Sequence, residues 1–203
     1  MGKSNMYSRD NIATLTSPSP TLQRAPDPPQ GLAGFGPFMA EDNMIALSLW
    51  HELGLKHAMT SDVALDFIGS LSIQAYIARR ARWIRVRKSM TLAATLAEPL
   101  TESIICGCYG SWAIKCLFGV SRLAVFAIHM LVWLLVDLKV KSSLETNIKN
   151  AGPPTSMVSF VMAWTVRELL ALPIWLYAML GDEVTWRGTR YKIMASGEAV
   201  RLA

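Results

Sequence analysis

The sequence predicts a mainly α-helical chain that ends in a multi-helix membrane region. Three observations carry that prediction. Of the 203 residues 52% are hydrophobic and only 17% charged, and mean hydropathy is +0.29, more apolar than soluble domains usually run. Apolar residues recur at helical spacing over 40–54 and again from about Ser70 to Lys88. Beyond residue 104 come three apolar stretches, two of them near the ~20 residues that a bilayer crossing requires.

The first thirty residues stand apart. "SPSPTLQRAPDPPQ" holds most of the prolines and no apolar period, so it is expected to bury too little surface to offset ordering. Residues 1–30 therefore read as a disordered Pro/Ser-rich tail, without the apolar core of a signal peptide. "GLAGFGPFM" (31–39) gives G-x-x-G-x-G with no preceding strand and no following G-K-[ST]. That spacing excludes a phosphate loop and leaves a flexible loop carrying Phe35 and Phe38.

A helix is expected over 40–54, "AEDNMIALSLWHELG", with Glu41 and Asp42 near its start and Gly54 as its stop. His51 and Glu52 begin H-E-x-x-H, but position 55 is Leu55 and His57 comes too late to share the face, so no metal is assigned. "KHAMTSDVALDF" (56–67) alternates loosely, as a short strand pair or edge strand would. From about Ser70, Ile73, Ile77, Ala81 and Ile84 form one helical stripe, with Arg79, Arg82 and Arg85 on another side. Such a helix lies against a membrane or a domain floor. "IARRARWIRVRK" (77–88) packs six cations into twelve residues. A solvated face, a topogenic patch and an anion site are all consistent with that charge. Nucleic acid is excluded as the partner of the +5 net charge, since no binding motif accompanies the arginines and an apolar run adjoins them.

Ile104–Phe118 is a short apolar segment containing Lys115. A second runs from about Cys116 to Val136 with Arg122 near its edge, and a third over Met157–Leu180. "KVKSSLETNIKNAGPP" reads as a polar loop between the last two. Glu98, Pro99 and Glu102 before the first segment favour an interfacial or re-entrant helix over a straight crossing. Two or three crossings follow, then a basic C-terminal tail with Arg187, Arg190, Lys192 and Arg201. Arg167 and Glu168 fall near the middle of the third segment, where charge costs about 2.5–3.5 kcal/mol per residue on insertion scales. They read either as a structural pair or as a candidate intramembrane site. Cys106, Cys108 and Cys116 form no disulfide framework and read as buried free thiols.

"MAEDNMIA", "RRARW", "AEPLTES", "WTVRELL" and "WRGTRY", in that order across 31–203, resemble the C-terminal part of ceramide glucosyltransferases. The first two elements are shared with other membrane-bound inverting glycosyltransferases, among them cellulose, chitin and hyaluronan synthases. The resemblance implies that residues 31–91 are the C-terminal remnant of an α/β glycosyltransferase domain of A type, and that 92–203 are its membrane region. It places the family's general base on Asp42, which would take the proton of the acceptor's primary hydroxyl. Its R/Q-x-x-R-W motif falls on Arg79, Arg82 and Trp83, beside the diphosphate and the acceptor. Arg85, Arg87 and Lys88 are then left to hold the helix on an anionic cytosolic surface.

The resemblance further implies UDP-glucose as donor, ceramide as acceptor and glucosylceramide as product. It implies residence in the Golgi or endoplasmic reticulum, with the motifs facing the cytosol. In the family a nucleotide-binding half, with two more aspartate motifs and the site of a divalent metal (Mg or Mn), stands upstream of the Glu-Asp element. Residues 1–30 match none of it, Asp10 and Asp27 included. The expectation is a chain without that metal site that transfers no sugar by itself. The alternative is a non-catalytic integral membrane protein that binds lipid or a partner.

Overall fold

The computed structural model of the chain describes residues 5–58, 71–147 and 155–202. Among them the helices are α1 (Arg9–Ala13), α2 (Pro20–Gln23), α3 (Glu41–Leu53), α4 (Ile73–Met90), α5 (Leu92–Ala97), α6 (Ser103–Phe118), α7 (Arg122–Asn147) and α8 (Met157–Met179). The strands are β1 (Glu183–Trp186), β2 (Thr189–Ile193) and β3 (Ala199–Arg201), and 3₁₀ turns occupy Gly31–Phe35 and Glu98–Thr101. The mainly α prediction holds, with a small antiparallel sheet, in the order β1-β2-β3, added at the end. The chain forms two compact units: Met1–Leu92 with Ala178–Ala203, and Ala93–Tyr177.

In the first unit α3 runs as its sequence predicts and stops at Gly54, whose left-handed φ of 65° no β-carbon opposes. Its buried Ile45 and Leu49 pack with Leu15 and Phe35, and Tyr7, Ile12 and Met44 surround them. Residues 5–30 are therefore not a disordered tail. Leu15 is completely buried, the Ser19 hydroxyl caps α2 by accepting from Leu22 N, and Pro20 opens that helix. One isolated anchor and a cap supply what the composition hides. Phe35 and Phe38 are buried too, so 31–39 is an ordered turn and not a flexible loop.

Helix α4 begins at Ile73, where Ser72 caps it by accepting from Ala75 N at 3.2 Å. The stripe is right at Ala81 and Ile84, which are buried, and wrong at Ile73, which is exposed. Val86 packs with Val184 of β1 and Ile193 of β2, with Met39, Ala40, Met90, Tyr191 and Ala199 around them. Burying each such aliphatic side chain contributes about 1.5–3 kcal/mol. The floor under α4 is thus a sheet of this protein. The expected strand pair over 56–67 lies mostly outside the described residues, and 56–58 belong to no helix or strand.

The basic C-terminal tail is that same sheet. Trp186 pairs with Thr189 across Arg187 and Gly188, both at positive φ (49° and 79°), which closes the tight hairpin turn. Arg190 pairs with Glu183 (2.5 Å) and Lys192 with Asp182 (3.4 Å), so two of the four cations have carboxylate neighbours.

In the second unit α6 packs along α7. A β-carbon at Gly107 would meet Phe126 and His129 of α7 at 2.7–3.0 Å, so glycine permits the approach. Left-handed Gly119 (φ 70°) ends α6, and the second apolar helix begins at Arg122 instead of Cys116. It runs on through most of the expected polar loop to Asn147, aided by a Lys141–Glu145 pair one turn apart (2.7 Å). Helices α7 (over Arg122–Glu145) and α8 are long and apolar enough to cross a bilayer. At 16 residues, α6 measures about 24 Å and falls short of the ~30 Å core. Its cysteines are free as expected, but Cys108 and Cys116 are exposed rather than buried, because α6 turns part of its apolar surface outward.

Candidate functional site

Asp42 sits in the first turn of α3, half-buried, and its backbone carbonyl accepts from the Tyr7 hydroxyl at 3.3 Å. Burial, then the nearby Asp42 carboxylate, raise the pKa of that phenol, so Tyr7 stays protonated and able to donate. Ala40, two residues before Asp42, packs on the cluster that holds Val86.

Arg79, Arg82 and Val86 recur at helical spacing along α4. The Arg79 guanidinium lies over the ring of half-exposed Trp83, 4.9 Å from its centroid. Burial, and then repulsion from Arg79, lower the pKa of Arg82. The side chain remains a cation, but one that gains from a counter-anion. One apolar cluster thus joins Met39 and Ala40, just before α3, to Val86 and Met90 of α4, the turns that follow the R-x-x-R-W motif.

Arg85 and Lys88 have another place. Arg85 donates through Nε to Ala178 O (3.4 Å) and through Nη1 to Glu183 O (2.6 Å). Lys88 Nζ donates to Met179 O (3.1 Å) and Gly181 O (2.9 Å). Ala178 and Met179 end α8 and Gly181 follows it, where carbonyls lack intrahelical donors and favour cations, and Glu183 opens β1. The anchoring role expected of Arg85 and Lys88 gives way to a clamp that ties α4 to the end of α8. No sequence period signals it, because the acceptors are backbone atoms about 90 residues away.

Within the second unit Arg167 and Glu168 do form a pair, with Nε to Oε1 at 2.6 Å, and they belong to a larger network. Arg167 Nη2 also reaches Asp137 Oδ2 at 2.5 Å, and Trp164 Nε1 donates to the same oxygen at 2.7 Å. Ser103 Oγ donates to buried Glu168, and His129 Nε2 lies 2.9 Å from Ser103 O. Sequence reasoning missed Asp137, Trp164, Ser103 and His129. An aspartate inside an apolar run was the available signal, and it was lost by ending that run at Val136.

Residues 27–199, which include every candidate residue above, match glycosyl transferase family 21. The chain belongs to that family. Its relatives there include the ceramide glucosyltransferase of Komagataella phaffii, 39% identical over 194 residues, which are 82% of this chain and 38% of the relative. That of Candida albicans is 41% identical over 179 residues, 78% of this chain and 33% of the relative. The Pyricularia oryzae enzyme is 32% identical over 228 residues, 95% of this chain and 46% of the relative. The chain therefore spans between a third and a half of the length of these family members. No solved structure matches it.

Proposed function

We propose that this chain is the acceptor- and membrane-side part of a ceramide glucosyltransferase, transferring glucose from UDP-glucose to ceramide with inversion. The observation that carries the reading is the family match over residues 27–199, in a chain about 40% identical to relatives of that name, with one apolar cluster joining the residues just before Asp42 to those just after the R-x-x-R-W motif. Asp42 takes the proton of the acceptor's primary hydroxyl as that oxygen attacks the anomeric carbon. The bond from that carbon to the diphosphate breaks and its electron pair leaves with UDP. Arg79 and Arg82, two cations near enough to repel, stabilise the departing negative charge. Trp83 stacks under Arg79 and sets its direction.

A divalent metal (Mg or Mn) on the diphosphate belongs to the proposal for the whole protein. Among the described residues no three His, Cys, Asp or Glu side chains converge on one point. These residues do not fit such an ion by themselves, and no step is assigned to it.

The membrane arrangement is proposed on the same footing: a multi-pass protein of the Golgi or endoplasmic reticulum, with α4 on the cytosolic side. Val86 packs with Val184 and Ile193, so the chain returns at residue 178 to the compact unit that it leaves at 92. A return to the same side takes an even number of crossings. That supports α7 and α8 as the crossing helices, α6 as interfacial or re-entrant, and a cytosolic C-terminus.

Grafting this chain in place of the matching part of the Komagataella phaffii enzyme tests the function. Glucosylceramide formation from UDP-glucose and ceramide is expected, and its loss on Asp42→Asn. A chimera that is folded and inactive, or an Asp42→Asn form with normal turnover, refutes the assignment.

A further inference from the structure

The intramembrane network leaves two polar groups open. Arg167 uses Nε and Nη2, and Asp137 uses Oδ2 twice. Among the described residues Arg167 Nη1 and Asp137 Oδ1 have no hydrogen-bond partner. They are not shielded either, since the Arg167 side chain is 47% exposed and that of Asp137 25%.

Their depth makes this costly. Asp137 lies ten residues before the end of α7, and Arg167 ten residues after the start of α8. At ~1.5 Å per residue both lie about 15 Å along their helices, near the middle of a ~30 Å hydrocarbon core. Water is scarce there, and an open N–H or carboxylate oxygen needs a partner.

The charges select that partner. A phosphate facing Arg167 would also meet Asp137, with the Glu168 carboxylate adjacent. An ammonium facing Asp137 would meet the guanidinium. A neutral group that both donates and accepts, as a hydroxyl or a secondary amide does, satisfies Oδ1 and Nη1 together. Beside the opening, Val136 and Val140 of α7 and Val166 of α8 are exposed, an apolar surface for hydrocarbon chains. We infer that Arg167 and Asp137 bind the head of a neutral long-chain lipid bearing hydroxyl and amide groups. Glu168, Ser103 and Trp164 hold that pair in place. The site takes such a lipid from the bilayer, the class to which the acceptor proposed above belongs, and the inference rests on that reading and on the two crossings.

The test uses the whole chain in phosphatidylcholine nanodiscs with a ceramide carrying a diazirine in its acyl chain. Irradiation should label peptides around 136–140 and 162–169. Unlabelled ceramide should compete, and phosphatidic acid should not. Arg167→Met and Asp137→Val should each lower labelling by about tenfold, the scale of one hydrogen bond to a charged group. Should those variants fail to fold, the wild-type chain decides through a methyl ester with the same diazirine chain. Weak labelling by the ester supports a head-group site, and equal labelling by ester and ceramide overturns it. A Val136→Cys chain that forms disulfide dimers and excludes the probe also overturns it, by making a second copy the occupant. Labelling without transfer by the chimera defeats the proposed function alone, and transfer without labelling defeats this inference alone.

Discussion

Replacing Glu198 by alanine should release residues 15–24 from the rest of their unit. The carboxylate is buried and accepts from Ser19 Oγ, from Thr21 N (3.3 Å) and Oγ1 (3.1 Å), and from Ser196 Oγ (2.8 Å). Thr21 and Ser196 are exposed, so water can replace their bonds at little cost. Ser19 is completely buried, and an orphaned donor there costs about 1–3 kcal/mol. Adding part of the charged hydrogen bonds gives about 2–4 kcal/mol for Glu198→Ala. Glu198→Gln keeps an acceptor for Ser19, and its amide can donate to the exposed hydroxyls, so it should cost only about 1 kcal/mol. Hydrogen exchange reads the difference, since amides of 15–24 should lose protection about 30- to 700-fold in the alanine form and about fivefold in the glutamine form. Equal behaviour of the two variants, or unchanged protection in both, would refute the account of the carboxylate as a buried acceptor.

The same carboxylate sets an acid limit. Burial pushes its pKa up, but the Ser19, Ser196 and Thr21 donors prevail and hold it below the ordinary glutamate value. Its stabilising contribution is full above that ordinary value and fades as pH falls toward the depressed one. Glu198→Gln should remove this portion of the acid sensitivity, as thermal unfolding between pH 6 and pH 3 would show. In the chimera, Asp42→Asn should lower turnover by about 10²–10⁴-fold, and Arg82→Ala and Trp83→Ala should also lose transfer, while Arg87→Ala should mainly weaken sedimentation with anionic vesicles. Arg85→Ala and Lys88→Ala should each cost the first unit about 1–3 kcal/mol, measured by unfolding, and wild-type stability in both would remove the clamp. A C-terminal tag in sealed microsomes should be cleaved by added protease, and its protection would restore a third crossing.

What the sequence made legible follows from which forces act locally. Helix α3 could be read from an apolar period and Gly54 as its stop, and the ends of α8 from the limits of one continuous apolar run. The N-terminal segment could not, since its order depends on Leu15 meeting Phe35 and Ser19 meeting Glu198, a partner 179 residues away. The hairpin escaped because its turn is Arg-Gly, whereas Asn-Gly or Asp-Gly announces such turns. Asp42 and the R-x-x-R-W positions were legible as motifs alone. The packing of the segments that flank them depends on Ala40, Val86, Val184 and Ile193, which no spacing rule connects.

The packing of Val86 against Val184 and Ile193 bears on how the protein is made. Helix α4 is synthesised about a hundred residues before the strands that cover it. Closing a loop of that length carries an entropic cost that local contacts do not repay. Until α8 and the hairpin have emerged, the apolar side of α4 has no floor, and Arg85 and Lys88 lack their carbonyls. The R-x-x-R-W helix thus reaches its final setting only after β1 and β2 have been made. A chain halted in α8 would present quality control with a bare cationic amphipathic helix, and a ribosome-stalling series across residues 175–203 should show protease resistance of α4 appearing only after Ile193 clears the exit tunnel.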